Sequence, residues 1–154
     1  MFGFWRAKPY RDPELGELKR SRGRWRTSVA IPGHGTVQLA LSGNRTQPDD
    51  DALRLARDLP RRFAALRADI RVALFAHYEP YGDATHDDRD VPKVRNDEML
   101  WQHVRLVGVL VDRLSGVMTV EAAYDTDWDI EHTLGARLQD WKLVELNGSI
   151  RSEF

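Results

Sequence analysis

The densest cluster of chemically capable side chains lies in residues 124–132, with the sequence YDTDWDIEH. Its four carboxylates alternate with other residues: Asp125, Asp127, Asp129 and Glu131. On an extended backbone all four would point to one side, and crowded ionised carboxylates require a counter-charge. Either an arginine or a hard divalent cation such as Ca²⁺ or Mg²⁺ would supply it. These four residues are therefore the candidate metal ligands, and we call residues 125–132 the acidic corner.

The spacing of Asp125, Asp127 and Asp129 imitates the first half of an EF-hand calcium loop. The match then ends, because Ile130 stands where the loop needs glycine and Ala136 stands where it needs glutamate. We reject an EF-hand and keep a looser divalent site as an alternative. The competing interpretation is a solvated acidic turn between two strands, with Trp128 packed inward.

His132 follows Glu131 directly. If both residues lie on a strand, their side chains face opposite ways and do not converge on one site. The chain has no HExxH motif. We therefore expect His132 to close a turn through a hydrogen bond to the backbone, rather than to act as a general base.

A second polar cluster lies in the long segment 79–98, which contains His86, Asp87 and Asp88. Long segments of this kind are often functional or mobile. If the segment lies at the same sheet edge as the acidic corner, carboxylates and two imidazoles would line a cleft suited to metal-assisted hydrolysis. The competing interpretation is a mobile charged loop.

Positive charge is concentrated near the N-terminus. The first 45 residues carry nine Lys and Arg against three Asp and Glu, whereas the whole chain has a net charge of −1. Arg22, Arg24 and Arg26 would form a row beside Trp25 on one strand, and such a row suits phosphate. The favoured interpretation is an exposed sheet face whose positive charge is neutralised by the acidic residues in the rest of the chain. The asymmetry also allows head-to-tail association into a homo-oligomer.

The elements that must position these clusters are two groups of strands around a helix. Alternation and turn residues predict strands over 15–21, 24–31, 36–41, 103–112, 117–124, 131–139 and 142–148. The strand at 103–112 is apolar on both faces, which predicts a central position. We expect Val104, Leu106, Gly108 and Leu110 on one of its faces.

Apolar residues recur at spacings of three or four over 48–78, which predicts a helix buried along one stripe. Pro60 lies within the stripe, and an interior proline costs about 3 kcal/mol. We therefore expect a kinked helix or a helix pair, broken near Leu59. The expected fold is α+β: a mostly antiparallel sheet of two meanders, with six or seven strands, and the helical segment packed on one face.

The length of 154 residues fits a single domain, 1–154, and the absence of cysteine excludes disulfides and thiolate metal sites. No apolar run approaches the roughly 18 residues of a membrane span. We expect a cytoplasmic protein with no membrane partner.

Two segments resemble an uncharacterised family of small bacterial proteins. Residues 11–26, RDPELGELKRSRGRWR, are similar to the DPxxGxL start of that family, and residues 128–150 resemble its WDxEHxLG hairpin. The matching hairpin residues are Trp128, Asp129, Glu131, His132, Leu134 and Gly135. The resemblance implies no reaction. Some similar small α+β bacterial domains look like immunity or partner-binding proteins of toxin systems.

The sequence therefore predicts a non-enzymatic, partner-binding module, immunity-like, that binds a basic protein and needs no cofactor. Its expected contact surface consists of Trp128, Asp129, Glu131, His132, His86, Asp87 and Asp88. The alternative is a metal-dependent hydrolase at the acidic corner. A weaker alternative is nucleic-acid binding through the Arg22–Arg26 strand.

Overall fold

The computed structural model describes residues 6–83 and 91–149. They form eight strands, one long helix and one 3₁₀ helix. The strands are β1 (Tyr10–Asp12), β2 (Gly16–Ser21), β3 (Arg24–Ile31), β4 (Gly35–Leu41), β5 (Val104–Leu114), β6 (Val117–Thr126), β7 (Leu134–Gln139) and β8 (Lys142–Gly148). The helix α1 spans Asp50–Asp83, and the 3₁₀ helix spans Asp97–His103.

The eight strands form a single sheet in chain order, β1 to β8. Each neighbouring pair is antiparallel except β4 and β5, which are parallel. Parallel neighbours need a crossover connection, and α1 provides it. The predicted α+β fold with two meanders is confirmed. The short edge strand β1 was not predicted.

One stripe of α1 packs against the sheet. Its buried residues recur at the helical period: Ala52, Leu53, Ala56, Leu59, Phe63, Leu66, Ile70, Leu74 and Tyr78. In the described residues, no helix combines the length and the apolar character that crossing a membrane requires.

Of the two alternatives for this segment, the helix pair broken near Leu59 is wrong, because α1 continues through Pro60 and also contains Pro80. Leu59 and Phe63, on either side of Pro60, are both fully buried. Burying one large apolar side chain contributes about 1.5–3 kcal/mol, which is comparable with the cost of an interior proline. A continuous stripe of such residues therefore outweighs the hydrogen bond that Pro60 removes.

Strand β5 is central, as predicted, but its faces differ from the expectation. A register shift opposite β6 leaves Val107 as an extra residue between Leu106 and Gly108. Because of this bulge, Val109 and Val111 join Leu106 in the core beneath α1. Leu110 is buried on the opposite face, outside that core cluster.

Asp12 ties the N-terminal hairpin to the helix. Its side chain is fully buried, and one carboxylate oxygen accepts hydrogen bonds from the backbone N–H groups of Glu14 and Leu15. The other oxygen accepts from Arg57 on α1, with the Nε at 2.9 Å. The side chain thus closes the β1–β2 turn and anchors it to α1. The hydrogen bonds from Arg57 hold the pKa of Asp12 below its usual value, despite the opposing effect of burial.

Replacing Asp12 with asparagine should lower the free energy of unfolding by about 2 kcal/mol at pH 7, because Arg57 then loses a buried charged partner. Urea unfolding measures this loss. A carboxyl with a depressed folded pKa stabilises above its unfolded pKa, near 3.8, and loses that effect as the pH falls through the folded value. The difference between the two proteins should therefore shrink below that pH.

The matched control is Asp58→Asn, which removes an exposed ion pair with Arg61 on the same helix. Exposed pairs contribute about 0–1 kcal/mol, so this variant should unfold close to the wild type. Equal losses in the two variants would contradict the anchoring role of Asp12.

Candidate functional site

A pocket of about 460 Å³ opens at the acidic corner. It lies between the last turn of α1 and the connection from β6 to β7, and we call it the acidic pocket. Its walls are formed by Tyr81, Val91, Asp127, Trp128, Asp129, Ile130, Glu131 and His132. The residues that the sequence predicted as a contact surface, from Trp128 to His132, are therefore brought together. The other three, His86, Asp87 and Asp88, lie outside the described residues.

The backbone turns where the sequence analysis had considered an extended strand. Strand β6 ends at Thr126, and the Asp127 N–H donates to the carbonyl of His103 at 3.0 Å. The Asp129 N–H donates to the Thr126 hydroxyl at 3.2 Å. The condition for four carboxylates on one side is therefore not met, and each carboxylate has its own surroundings.

Asp129 is the buried acid of the pocket, with 9% of its surface exposed. One carboxylate oxygen lies 2.9 Å from Nδ1 of His132, and the other accepts a hydrogen bond of 3.2 Å from the Tyr81 hydroxyl. Burial raises the pKa of Asp129, but the interactions with His132 and Tyr81 and a backbone hydrogen bond from Glu131 together leave the pKa below its usual value. Asp129 is thus a fixed negative charge, and it orients His132. The expected bond from His132 to backbone is replaced by this bond to a carboxylate.

Two other carboxylates of the acidic corner face different partners. Asp127 accepts from Arg105 at 2.9 Å and lies 3.1 Å from Nδ1 of His103. Arg105 is the main cause of its lowered pKa. Asp125 accepts from the Thr133 hydroxyl at 2.8 Å. Over residues 6–83 and 91–149, no three His, Asp or Glu side chains are grouped as a metal site would require.

Trp128 forms the inner wall of the acidic pocket, since only 4% of its surface is exposed. Its indole N–H donates to Nδ1 of His77 at 3.1 Å. The His77 ring stacks on Tyr81 at a centroid distance of 5.5 Å, and Trp128 meets Tyr78 edge-on at 5.4 Å. The inward packing of Trp128 is therefore confirmed. Three aromatic residues near the end of α1 hold the turn in place.

Sequence reasoning missed several residues of this site. Both His77 and Tyr81 come from α1, which continues to Asp83, so Tyr81 lies beyond the expected end at 78 and His77 lies within the predicted helix. The period of the apolar stripe that ends at Tyr78 was the available signal. Ile130 was also missed, although it is 89% exposed at the rim of the acidic pocket. The sequence holds no signal for this exposure, since Trp128 also lies between two acidic residues and is buried.

The basic strand does not present the row that the sequence analysis described. Arg24 is buried and forms an ion pair of 2.5 Å with Asp112. Trp25 is fully buried, and its indole N–H donates to the Asn44 carbonyl at 2.9 Å. Neither residue is available at the surface for phosphate.

Positive charge gathers instead in an open cleft of about 620 Å³, which we call the basic cleft. It is lined by Arg6, Ala7, Lys8, Arg20, Ser21, Arg22 and Arg45. The Nε of Arg20 donates to the Asn44 carbonyl at 3.0 Å, next to Arg45 in the chain. Separate segments supply these cations, so their meeting was not visible as a run in the sequence.

A family model described as a domain of unknown function (DUF6985) matches residues 14–151. The chain therefore belongs to this family. Neither a curated protein nor a solved structure matches the chain.

The bond between Trp128 and His77 should make the stability of the acidic pocket depend on pH. His77 accepts at Nδ1, so protonating that nitrogen breaks the bond. Burial is the main cause that lowers the pKa of His77 below 6.5. His77 therefore binds a proton more readily in the unfolded chain than in the folded protein. The free energy of unfolding should decrease as the pH falls from 6.5 through the folded pKa.

Urea unfolding of wild type and His77→Asn at pH 7.5 and 5.5 measures this effect. The asparagine oxygen still accepts from Trp128 but does not titrate in this range. The wild type should therefore lose more stability on acidification than the variant does. Equal losses of stability in the two proteins would contradict a lowered pKa of His77 in the folded state.

Proposed function

We propose that this member of the DUF6985 family is a non-enzymatic protein-binding module whose contact surface is the acidic corner. Its partner is a protein with a basic surface, and both are cytoplasmic. The observation that supports the proposal most directly is Ile130, a large apolar side chain that is 89% exposed at the rim of a carboxylate-lined pocket.

Ile130 has the chemistry of an interface anchor. Burying a large apolar side chain contributes about 1.5–3 kcal/mol, and this contribution is unused in the free protein. Interfaces commonly place apolar anchors at the centre and polar groups at the rim. Ile130 has Asp129 and Glu131 as its chain neighbours, and the pocket beside it would receive a side chain of the partner.

The charges around Ile130 favour a cationic partner. The pocket lining contains Asp127, Asp129 and Glu131. The contacts of Asp129 with His132 and Tyr81 fix its carboxylate before any partner arrives, so binding does not have to order it. Carboxylate-rich surfaces accelerate encounter with basic proteins and disfavour acidic ones.

The test is affinity capture with the wild type, Ile130→Asp and Val72→Asp, with retained proteins quantified by mass spectrometry. Val72 is 58% exposed on α1, so its substitution is the matched control. We expect a basic protein that the wild type and Val72→Asp retain, and that Ile130→Asp loses by about tenfold or more, equivalent to about 1.4 kcal/mol. Retention should also fall as the salt concentration rises.

A retained set that is the same for all three proteins, or insensitive to Ile130→Asp, would overturn the proposal. Circular dichroism and urea unfolding of each variant show that loss of binding is not loss of the fold. Glu131→Lys provides a second variant, which reverses a charge at the same rim and should weaken the same partner.

A second candidate function is polyanion binding, including nucleic acid, through the basic cleft. The observation that favours it is the concave grouping of five Lys and Arg side chains. Neutralising phosphates with such groups releases counterions and gives affinity that depends strongly on salt. The residues that bind the polyanion would be those of the basic cleft rather than Arg24 and Trp25.

If the basic cleft binds polyanions, Arg45→Glu should elute from heparin at a clearly lower salt concentration than the wild type. Arg62→Glu changes the charge equally at an exposed position of α1 and is the control. Equal shifts for the two variants would mean that net charge alone governs retention, and polyanion binding at the cleft would be rejected.

A further inference from the structure

The turn between β3 and β4 places a histidine at a pocket that neither binding proposal uses. His34 lies in this turn, beneath the middle of α1 and beside the 3₁₀ helix. The adjoining pocket has a volume of about 330 Å³. It is lined by Gly33, His34, Arg67, Trp101, Val104, Arg105 and Leu106.

Aromatic rings fix the orientation of His34. Its ring centroid lies 5.3 Å from Phe63, 5.5 Å from Trp101 and 6.4 Å from Tyr124, each in an edge-to-face arrangement. The guanidinium carbon of Arg67 lies 4.7 Å from the ring centre of Trp101. The side chains that line this pocket are therefore held by packing, which preorganises them.

Three buried polar atoms of this cluster lack hydrogen-bond partners. Within residues 6–83 and 91–149, the indole nitrogen of Trp101, the Tyr124 hydroxyl and Nε2 of His34 are buried without a hydrogen-bond partner. No ion pair joins Arg67 to a carboxylate in the same described ranges, and its guanidinium lies over the Trp101 ring. Buried polar groups in folded proteins nearly always have a hydrogen-bond partner, so these three unpaired atoms require an explanation.

Two of these side chains, arginine and the tryptophan indole, can only donate hydrogen bonds, whereas a tyrosine hydroxyl and a neutral imidazole can donate or accept. Burial raises the pKa of Tyr124, so its hydroxyl keeps its proton. Burial lowers the pKa of His34, and the nearby charge of Arg67 lowers it further, so the imidazole is neutral at pH 7. Arg67 therefore gives the cluster its positive charge, while Arg105, which also lines the pocket, is paired with Asp127.

We propose that this pocket binds a small ligand through an anionic oxygen group, either a carboxylate or a phosphate. Arg67 supplies the opposite charge, and the side chains of His34 and Trp101 line the same pocket. A volume of about 330 Å³ is at the lower end of the range for small-molecule sites, which fits a ligand the size of a simple metabolite.

Gly33 leaves room for the guanidinium of Arg67 in its present position. A Cβ at Gly33 would lie 2.6 Å from Nη1 of Arg67, which is too close for two non-bonded atoms. Gly33 also has a φ of +83°, a conformation that favours glycine. The turn therefore leaves room for the guanidinium beside the imidazole.

The test is a titration of the isotope-labelled protein by nuclear magnetic resonance with sodium acetate, sodium phosphate and, as the control for ionic strength, sodium chloride. We expect saturable shifts of the Trp101 indole N–H and of the His34 ring with acetate, phosphate or both, but not with chloride. A bound anion favours protonated imidazole, so the pKa of His34 should rise on saturation. The Trp101→Phe variant assigns the indole signal.

Arg67→Met removes the charge and keeps much of the side-chain length, and it should weaken binding by about tenfold or more. Arg62→Met is the control at an exposed site of the same helix. Arg67→Lys keeps the charge without the planar fork and should give intermediate affinity, which protects the test if the methionine variant is unstable.

A response to acetate alone identifies a carboxylate ligand, and a response to phosphate alone identifies a phosphorylated one. The proposal is overturned if neither anion gives a saturable shift beyond that of chloride. It is equally overturned if Arg67→Met responds as strongly as the wild type does.

Discussion

The contact between one stripe of α1 and the sheet is the constraint on which the rest of the structure depends. Burial of nine residues along this stripe carries the helix through Pro60 and provides the crossover that makes β4 and β5 parallel neighbours. The same contact sets the positions of the acidic pocket and of the His34 pocket. The last turns of α1 bring His77 and Tyr81 to the acidic pocket, and its middle brings Arg67 to His34. These two pockets thus differ in chemistry but are both positioned by α1.

Much of this fold could be predicted from the sequence, because alternation and helical periodicity are local signals. The strand over 24–31 and the hairpin strand over 142–148 have the predicted bounds. The failures have tertiary causes. Strand β1 is too short for periodicity to reveal, and its turn is held by a bond from Asp12 to α1. The bulge at Val107 was invisible because both faces of β5 are apolar, so no polar residue marks the change of face.

The acidic corner could be predicted because its carboxylates are neighbours in the chain. The different partners of these carboxylates could not be predicted. Asp129 is oriented by Tyr81 from α1, and Asp127 is paired with Arg105 from β5. The basic cleft and the His34 pocket each combine side chains from separate segments. In the sequence, His34 lies between two glycines and looks like an ordinary turn residue. Only packing against Trp101 and Tyr124 shows that its surroundings are unusual.

The single parallel pairing has a consequence for the order in which the chain folds. Each of the other pairings joins strands that follow each other directly, so each meander is made of local contacts. The pairing of β4 with β5 must instead close a loop that contains all of α1, which carries a larger entropic cost and slows formation. Residues such as Leu39 and Val109, which meet across this pairing, should therefore form their contacts late. The two halves of the sheet would then act as separate nuclei, and the docking of α1 would commit the chain to the native state.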